Sequence, residues 1–171
     1  PKKQKKKYKT PLHPWRKARI ESEKVLLNKY GLKNKKEVWK SETKLRTFKK
    51  QAKRLIKGIG NQTEIEQEQL LNKLDSLNLL SKSAKLEEVL NLTLEKMLDR
   101  RLQSFVHKLG LSKTIKQARQ FIVHGSIFVN GKKVDVPSYL IKKDEEDKIA
   151  FNPRSALSNP EHLERIRQEK K

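Results

Sequence analysis

The feature that most restricts the fold of this chain is a change in hydrophobic period near residue 125. Before it, apolar residues recur at helical spacing, and after it they alternate with polar residues. Asn130-Gly131 lies between two alternating segments, and this dipeptide favours the tight turn of a β-hairpin. The pattern therefore predicts helices over residues 93–109 and 113–124. It also predicts strands over 126–130, 132–136 and 148–151.

Amino-terminal to this segment the apolar spacing is helical, and four further helices are predicted, over residues 14–30, 34–57, 63–80 and 86–90. Asn34 with Glu37, and Thr63 with Glu66, have the spacing of capping boxes, and Ser112 is placed to cap the helix at 113–124. The residues expected to face inward from the 34–57 and 93–109 helices are Val38, Leu45, Phe48, Ala52, Leu55, Ile56, Leu94, Met97, Leu98, Phe105 and Leu109.

The expected fold class is α+β: a mainly helical body with an inserted module of two short helices plus a small antiparallel β-sheet. The predicted divisions are an extended basic arm at 1–13, the helical body at 14–97, the module at 98–152 and a tail at 153–171. Asn159-Pro160 is expected to begin a short charged helix in that tail.

The charge of the chain indicates its kind of partner. Its 171 residues include 42 Lys and Arg against 20 Asp and Glu, a formal net charge of +22. Residues 1–60 hold 22 of these basic residues and only four acidic ones. Such a charge destabilises a compact chain unless a polyanion neutralises it, and basic clusters bind phosphates by releasing condensed counterions. Nucleic acid is therefore the expected partner, in preference to an anionic membrane surface, which needs a broad apolar face.

Several function classes lack the residues they require. The sequence has no cysteine and four scattered histidines, which excludes disulfides and thiolate zinc sites, so no metal and no cofactor is expected. No membrane span or secretion signal is recognisable, and a cytoplasmic location is expected. No nucleotide-binding or hydrolase motif is present, so the chain is not expected to be an enzyme.

Candidate RNA contacts come first from the basic arm and the helix that follows it: Lys2, Lys3, Lys5, Lys6, Lys7, Tyr8, Arg16 and Arg19. The Tyr8 ring can stack on a base, because its segment has no apparent core to join. Spacing leaves open whether Trp15 and Trp39 pack in a core or contact RNA. In the module, Lys116 and Arg119 lie on one helix face, and we expect reversal of either charge to weaken RNA binding without unfolding the chain.

Taken together, these motifs resemble a known family. Asp99-Arg100-Arg101-Leu102, Leu109-Gly110, Ala118-Arg119, His124-Gly125-Ser126-Ile127, Val129-Asn130-Gly131, Val134 and Pro137-Ser138 resemble the alpha-L RNA-binding module first named from small-subunit ribosomal protein S-four. The opening Lys2–Tyr8 and Pro14-Trp15 resemble the archaeal branch of that family, which is close to the eukaryotic branch. By this resemblance the RNA-binding residues of the module are Arg100, Arg101, Ser112, Lys113, Lys116, Arg119, His124, Asn130, Lys132 and Lys133.

The resemblance implies a structural protein of the small ribosomal subunit. A member of this family binds the 5′ domain of the small-subunit ribosomal RNA as a primary binder and helps to nucleate assembly. It lies beside the neighbouring ribosomal proteins S-three and S-five at the messenger entry side and influences translational accuracy. The zinc site of many bacterial members is not carried over, because its cysteines are missing here.

Two other roles use the same module and stay open as alternatives. Pseudouridine synthases, which are RNA-modifying enzymes, and some tRNA synthetases carry it as an accessory domain beside a catalytic domain. A free stress-type factor binds RNA with little more than the module itself. The long basic arm and the helical body, which a minimal module does not need, favour the ribosomal role. Within the module, Arg100 and Arg101 point about 100° apart on a helix, so one is expected to face RNA or solvent while the other pairs with an acid.

Overall fold

The computed structural model describes residues 5–58, 60–82, 84–159 and 161–164. Its helices are α1 Lys17–Lys29, α2 Lys35–Lys57, α3 Asn61–Ser76, α4 Leu86–Leu90, α5 Leu94–Asp99, α6 Leu102–Lys108 and α7 Ile115–Val123. Its strands are β1 Ile127–Val129, β2 Lys132–Lys133 and β3 Ile149–Phe151, with 3-10 turns at Lys143–Lys148 and Ala156–Ser158. This arrangement confirms the expected α+β class.

The helical body is built around α2, the longest helix described. Its apolar face, with Leu45, Phe48, Ala52 and Leu55 buried, packs against Leu70 and Leu74 of α3 and against Val89, Leu92 and Met97 further along the chain. A second, smaller cluster joins Tyr30 and Leu32 to Val38 and Leu98. Ile56, predicted to share the buried face, is 46% exposed, because it lies about 100° around the helix from Leu55 and so at the edge of that face.

The predicted capping boxes are wrong in detail, although both helix starts are close to their predicted positions. Asn34 precedes α2, but its side chain makes no capping hydrogen bond. The Glu37 carboxylate instead accepts a hydrogen bond from the backbone N–H of Lys33 at 3.3 Å. The helix predicted from Thr63 begins two residues earlier, at Asn61, because Gly60 adopts a φ of +125° and turns the chain into α3.

The long helix predicted over residues 93–109 is two helices, α5 and α6, separated at Arg100 and Arg101. The interruption is caused by the segment after the hairpin, which pairs with the backbone at this point. Arg101 forms an isolated antiparallel bridge with Leu140. The Leu102 N–H donates to the carbonyl of Tyr139 at 2.8 Å, so these backbone groups bond outside the helix. The last residue of the predicted helix, Leu109, is exposed rather than buried.

The module packs α6 and α7 against a three-stranded antiparallel sheet of order β2-β1-β3. Phe128 of β1 pairs with Lys133 on one side and with Ala150 on the other. The predicted turn is confirmed, with φ of 51° at Asn130 and 73° at Gly131, as a type I′ turn requires. The core beneath the sheet consists of Leu102, Val106, Ala118, Phe121, Ile122, Ile127, Val129, Ile141, Ile149 and Leu157.

The cap of α7 is Thr114 rather than the predicted Ser112. The Thr114 hydroxyl accepts a hydrogen bond from the N–H of Gln117 at 3.1 Å, which satisfies a free amide of the first helical turn. Ser112 is fully buried two residues earlier. The charged helix predicted after Asn159-Pro160 falls largely on residues outside the described ranges.

Neither a membrane-spanning helix nor a metal-binding cluster occurs within the described ranges. No helix there combines the length and the apolar composition that crossing a bilayer requires. Nor do these residues bring together three or more His, Asp or Glu side chains in a group that could hold a metal ion.

Candidate RNA interface

A cleft of about 330 Å³ lies where the helical body meets the module. Lys36, Lys40 and Lys44 of α2 line it at successive helical turns, so their side chains share one face of the helix. The other lining residues include Arg101, Arg119, Pro137, Ser138 and Leu140. Five cations thus surround one concave space, and a concave basic surface concentrates the electrostatic field that attracts polyanions.

Glu37 supplies the acidic group of this cleft and holds two of its arginines. Arg101 Nη2 donates to Glu37 Oε2. Arg119 Nη2 donates to Oε1 at 2.9 Å, and its Nη1 lies 3.3 Å from Oε2. Burial alone would raise the pKa of Glu37, but the hydrogen bonds and charges of Arg119 and Arg101 together lower it below its ordinary value. The carboxylate therefore stays ionised and fixes both guanidinium groups.

A buried glutamine extends this network between three elements. Gln103 of α6 is 1% exposed and donates from Nε2 to the carbonyls of Gly31 and Ile115, each at 3.0 Å. Its Oε1 accepts from Arg119 Nη1 at 3.3 Å. Gly31 has a φ of +56°, and a Cβ there would lie 2.8 Å from Ile115 Cγ2, so the close approach requires glycine. The turn after α1 is thereby attached to α6 and α7.

Arg100 makes a separate set of contacts on the other side of the helix break. Its Nη2 donates to Glu146 Oε1 at 2.6 Å and to the Ile141 carbonyl at 3.0 Å. Its guanidinium carbon lies 4.9 Å from the centre of the Phe105 ring. The expectation that one of Arg100 and Arg101 faces outward is wrong, because they are 7% and 3% exposed and each pairs with a carboxylate.

The Arg100–Glu146 pair makes a prediction about acid stability. Burial would raise the pKa of Glu146, but the hydrogen bonds from Asn78 and Arg100 and the charges of Arg100 and Lys143 lower it overall. A carboxylate whose pKa is lower in the folded state stabilises the fold above its unfolded pKa, about 4.3, and this contribution disappears as pH falls through the folded value. The unfolding free energies of the wild type and Glu146→Gln should therefore differ at pH 7 and converge as the pH is lowered from about 5 to 3.

The matched control for this measurement is Asp144→Asn, because Asp144 is an exposed acid in the same segment. Urea unfolding of the three proteins across this pH range checks the prediction. A difference between wild type and Glu146→Gln that stays constant with pH would contradict it.

The exposed cations among the predicted residues lie on the arm, on α7 and on the hairpin: Lys5, Lys6, Lys7, Arg16, Lys113, Lys116, Lys132 and Lys133. Lys116 precedes Arg119 by three positions on α7 and so lies on the same side of the helix as the cleft. His124 ends α7 and is exposed, as is Asn130 at the hairpin turn. Lys2 and Lys3 lie outside the described residues.

Tyr8, Arg19 and Ser112, like Arg100, Arg101 and Arg119 above, are engaged within the protein. Tyr8 is half-buried and packs on Trp39, with the ring centres 6.1 Å apart. Arg19 donates to Glu23 at 2.5 Å and to the Pro14 carbonyl at 2.7 Å. Ser112 is fully buried. Ser112 therefore does not lie at an exposed helix start, where it was expected to bind a phosphate.

The sequence prediction did not include the three lysines of the cleft. Lys36, Lys40 and Lys44 are spaced by four residues, but on a helix this pattern most often marks a solvated face. The structure shows that Arg101 and Arg119 line the same cleft as these lysines. Partial removal from water, and after it the charges of Arg101 and Lys73, lower the pKa of Lys44, because each disfavours the charged ammonium ion. An anion placed in the cleft would relieve that repulsion.

Both the module and the whole chain are similar to known proteins. Residues 100–147 match the family model described as the S4 domain, so the module is an S4 domain. Over 157 residues, 92% of each chain, the protein is 51% identical to small ribosomal subunit protein uS4 of Methanothermobacter thermautotrophicus. It is 50% identical to the protein of that name from Nanoarchaeum equitans, over 98% of this chain and 94% of the relative. It is 52% identical to the protein of that name from Methanococcus aeolicus, over 96% of this chain and 94% of the relative. The chain belongs to the uS4 family of small ribosomal subunit proteins.

Proposed function

We propose that this protein is a structural component of the small ribosomal subunit and binds ribosomal RNA through the basic cleft. The observation that carries this proposal is the cleft itself, where Lys36, Lys40 and Lys44 line a concave space together with two arginines. A concave basic site of this kind suits a folded phosphate backbone. Family membership over more than nine-tenths of the chain supports the same role.

The proposed mechanism divides the basic residues into two groups. Arg101 and Arg119 are held by Glu37 and position the walls of the cleft. The lysines of α2, together with the exposed cations of α7 and the hairpin, neutralise phosphates. Because the walls are fixed before RNA arrives, little ordering free energy is lost on binding at this surface. Recognition would then depend on the shape of the folded RNA and on its backbone rather than on base edges.

The more detailed parts of this role rest on the family resemblance. They are primary binding to the 5′ domain of the small-subunit RNA, nucleation of assembly, and support of accuracy at the messenger entry side. The proposed neighbours are the ribosomal proteins S-three and S-five, and the proposed location is the cytoplasm, on the ribosome. We also propose the division into an arm at 1–13, a body at 14–97, a module at 98–152 and a tail at 153–171.

The relatives favour this role over the alternatives. An S4 domain attached to an RNA-modifying enzyme, or present in a free stress-type factor, would account for the module but not for the helical body. The relatives named as small-subunit proteins match the body as well as the module. A structural, non-enzymatic role is therefore the one we propose.

Sedimentation tests the proposal directly. The native protein is expected to migrate with the small subunit, in a stoichiometric amount, through a low-magnesium gradient that separates the two subunits. The association should survive moderate salt, as expected of a subunit component rather than of a chain held by non-specific charge alone. Migration with the large subunit, or at the top of the gradient, would reject the ribosomal role and favour the stress-factor or enzyme alternative.

A further inference from the structure

Trp15 is the most exposed large apolar side chain in the part of the chain that the structure describes. It is 89% exposed, and it lies in the turn that precedes α1. The other two rings of this region are used internally. Tyr8 packs on Trp39, and the Trp39 Nε1–H donates to Glu23 at 2.9 Å. Trp15 therefore differs from its aromatic neighbours in presenting its ring to solvent.

The turn that carries Trp15 is fixed rather than loose. The Arg19 guanidinium donates to the carbonyls of Pro14 at 2.7 Å and His13 at 3.4 Å. Arg19 is in turn held by Glu23, which is 6% exposed. Further along the arm, the Lys9 N–H donates to the Thr43 hydroxyl at 3.1 Å. Because these hydrogen bonds hold the backbone of the turn, little backbone freedom remains to be lost when the exposed ring meets a partner.

The surroundings of Trp15 identify that partner by charge. Beside the turn is a cleft of about 220 Å³, lined by Lys9, His13, Arg16, Arg19 and Arg46 together with one acidic residue, Glu42. Arg16 follows Trp15 directly and only Pro14 separates Trp15 from His13, so the turn that carries Trp15 runs along the edge of this cleft. A flat aromatic face next to a cationic recess has the chemistry of a nucleotide site, with the base on the ring and the phosphate in the recess. An apolar protein partner would not require the surrounding positive charge.

We infer that Trp15 stacks on an unpaired base of the bound RNA while the adjoining phosphate lies in the recess between Arg16 and Arg46. This inference rests on the proposed function, because it assigns one nucleotide contact within the RNA complex. It differs from phosphate neutralisation at the cleft on α2 in requiring a base. Stacking is tolerant of sequence, since every base offers a flat π-face, so the site selects an unpaired nucleotide rather than a particular one.

The test compares the full-length wild-type chain with Trp15→Phe and Trp15→Leu. Phenylalanine keeps a ring, whereas leucine keeps apolar surface without one. On small-subunit ribosomal RNA, Trp15→Leu is expected to bind about 5- to 150-fold more weakly, the range that loss of one base stack produces. Trp15→Phe should retain most of the affinity. Full affinity in Trp15→Leu would overturn the inference, and so would an equal loss in both variants.

Indole fluorescence gives an independent reading. An oligouridylate of about ten nucleotides should quench the emission of the wild-type chain, but a ribose-phosphate strand of equal length without bases should not. The quenching should disappear in Trp15→Phe, whose remaining indole is the hydrogen-bonded Trp39. Equal quenching by both strands, or no quenching, would overturn the inference. If instead the wild-type chain fails to bind the ribosomal RNA at all, the proposed function fails, a result distinct from equal binding by wild type and Trp15→Leu.

Discussion

Replacing Glu37 with glutamine is expected to lower the free energy of unfolding by about 3–5 kcal/mol, the usual consequence of removing one member of a buried ion pair. Arg101 is 3% exposed and would remain buried without a counterion. Arg119 would lose its carboxylate partner at the same time. Because these contacts join the helical body to the module, the effect should extend across both. Urea denaturation, followed by circular dichroism at fixed salt, measures it.

Glu42→Gln is the matched control, since it makes the same chemical change on the same helix. Glu42 pairs with Arg46 at 2.8 Å, four residues away, but both side chains are about half exposed. Such a pair contributes at most about 0.5 kcal/mol. Equal small losses in the two variants would show that Glu37 is no more important than a surface carboxylate, and the structural role of its arginines would have to be abandoned.

The same geometry revises the expected effect of Arg119→Glu. The sequence pattern predicts weaker RNA binding by an intact chain, but the new carboxylate would lie beside Glu37 and repel it. We now expect this variant to be destabilised as well. Lys116→Glu is still expected to weaken RNA binding without unfolding the chain, because Lys116 is exposed and lies one turn away from Arg119 on α7.

Reversing the charge of Lys40 and Lys44 together should weaken binding to small-subunit ribosomal RNA on the order of 100-fold in 0.1 M salt. Each lost phosphate contact removes roughly one released counterion, which at this salt concentration is close to a tenfold effect. The slope of log affinity against log salt should become less steep by about 2 units. Filter binding or fluorescence anisotropy over a salt series measures both quantities. The fold should persist, since both lysines are exposed.

The control for this prediction is the double variant Lys50→Glu and Lys53→Glu. These two exposed lysines belong to the same helix, but neither is among the residues that line the cleft. The change in net charge is identical, so any general electrostatic effect appears in both proteins. If the control loses as much affinity as Lys40→Glu with Lys44→Glu, binding depends on total charge and the cleft has no special role.

Local sequence signals predicted the secondary structure well where neighbouring residues determine it. The apolar spacing of Val38, Leu45 and Phe48 gave the buried face of α2, and Asn130-Gly131 gave the hairpin turn. Both depend on interactions within a few residues. The predicted N-cap of α7, Ser112, is two positions too early. Ser and Thr are both suited to this position, and Thr114 is the residue that caps the helix.

Contacts between residues far apart in the sequence could not be predicted in this way. The break at Arg100–Arg101 arises from pairing with Leu140, about forty positions away. The inward orientation of Arg119 depends on Glu37, 82 positions away. A family motif places these arginines in a module but does not say which carboxylates face them. For the same reason, Lys40 and Lys44 could be recognised as part of a site only after the opposing wall was known.

The separation of Glu37 from its partners also has a consequence for the order of events during synthesis. Arg101 follows Glu37 by 64 residues, so at about 5–20 residues per second the ribosome makes it roughly 3–13 s later. During that interval the nascent chain already carries the basic residues of its first third but not the module that completes the cleft. The helical body and its contacts with the module therefore form at different times. A newly made chain carries its positive charge before it has the complete cleft that we propose binds ribosomal RNA.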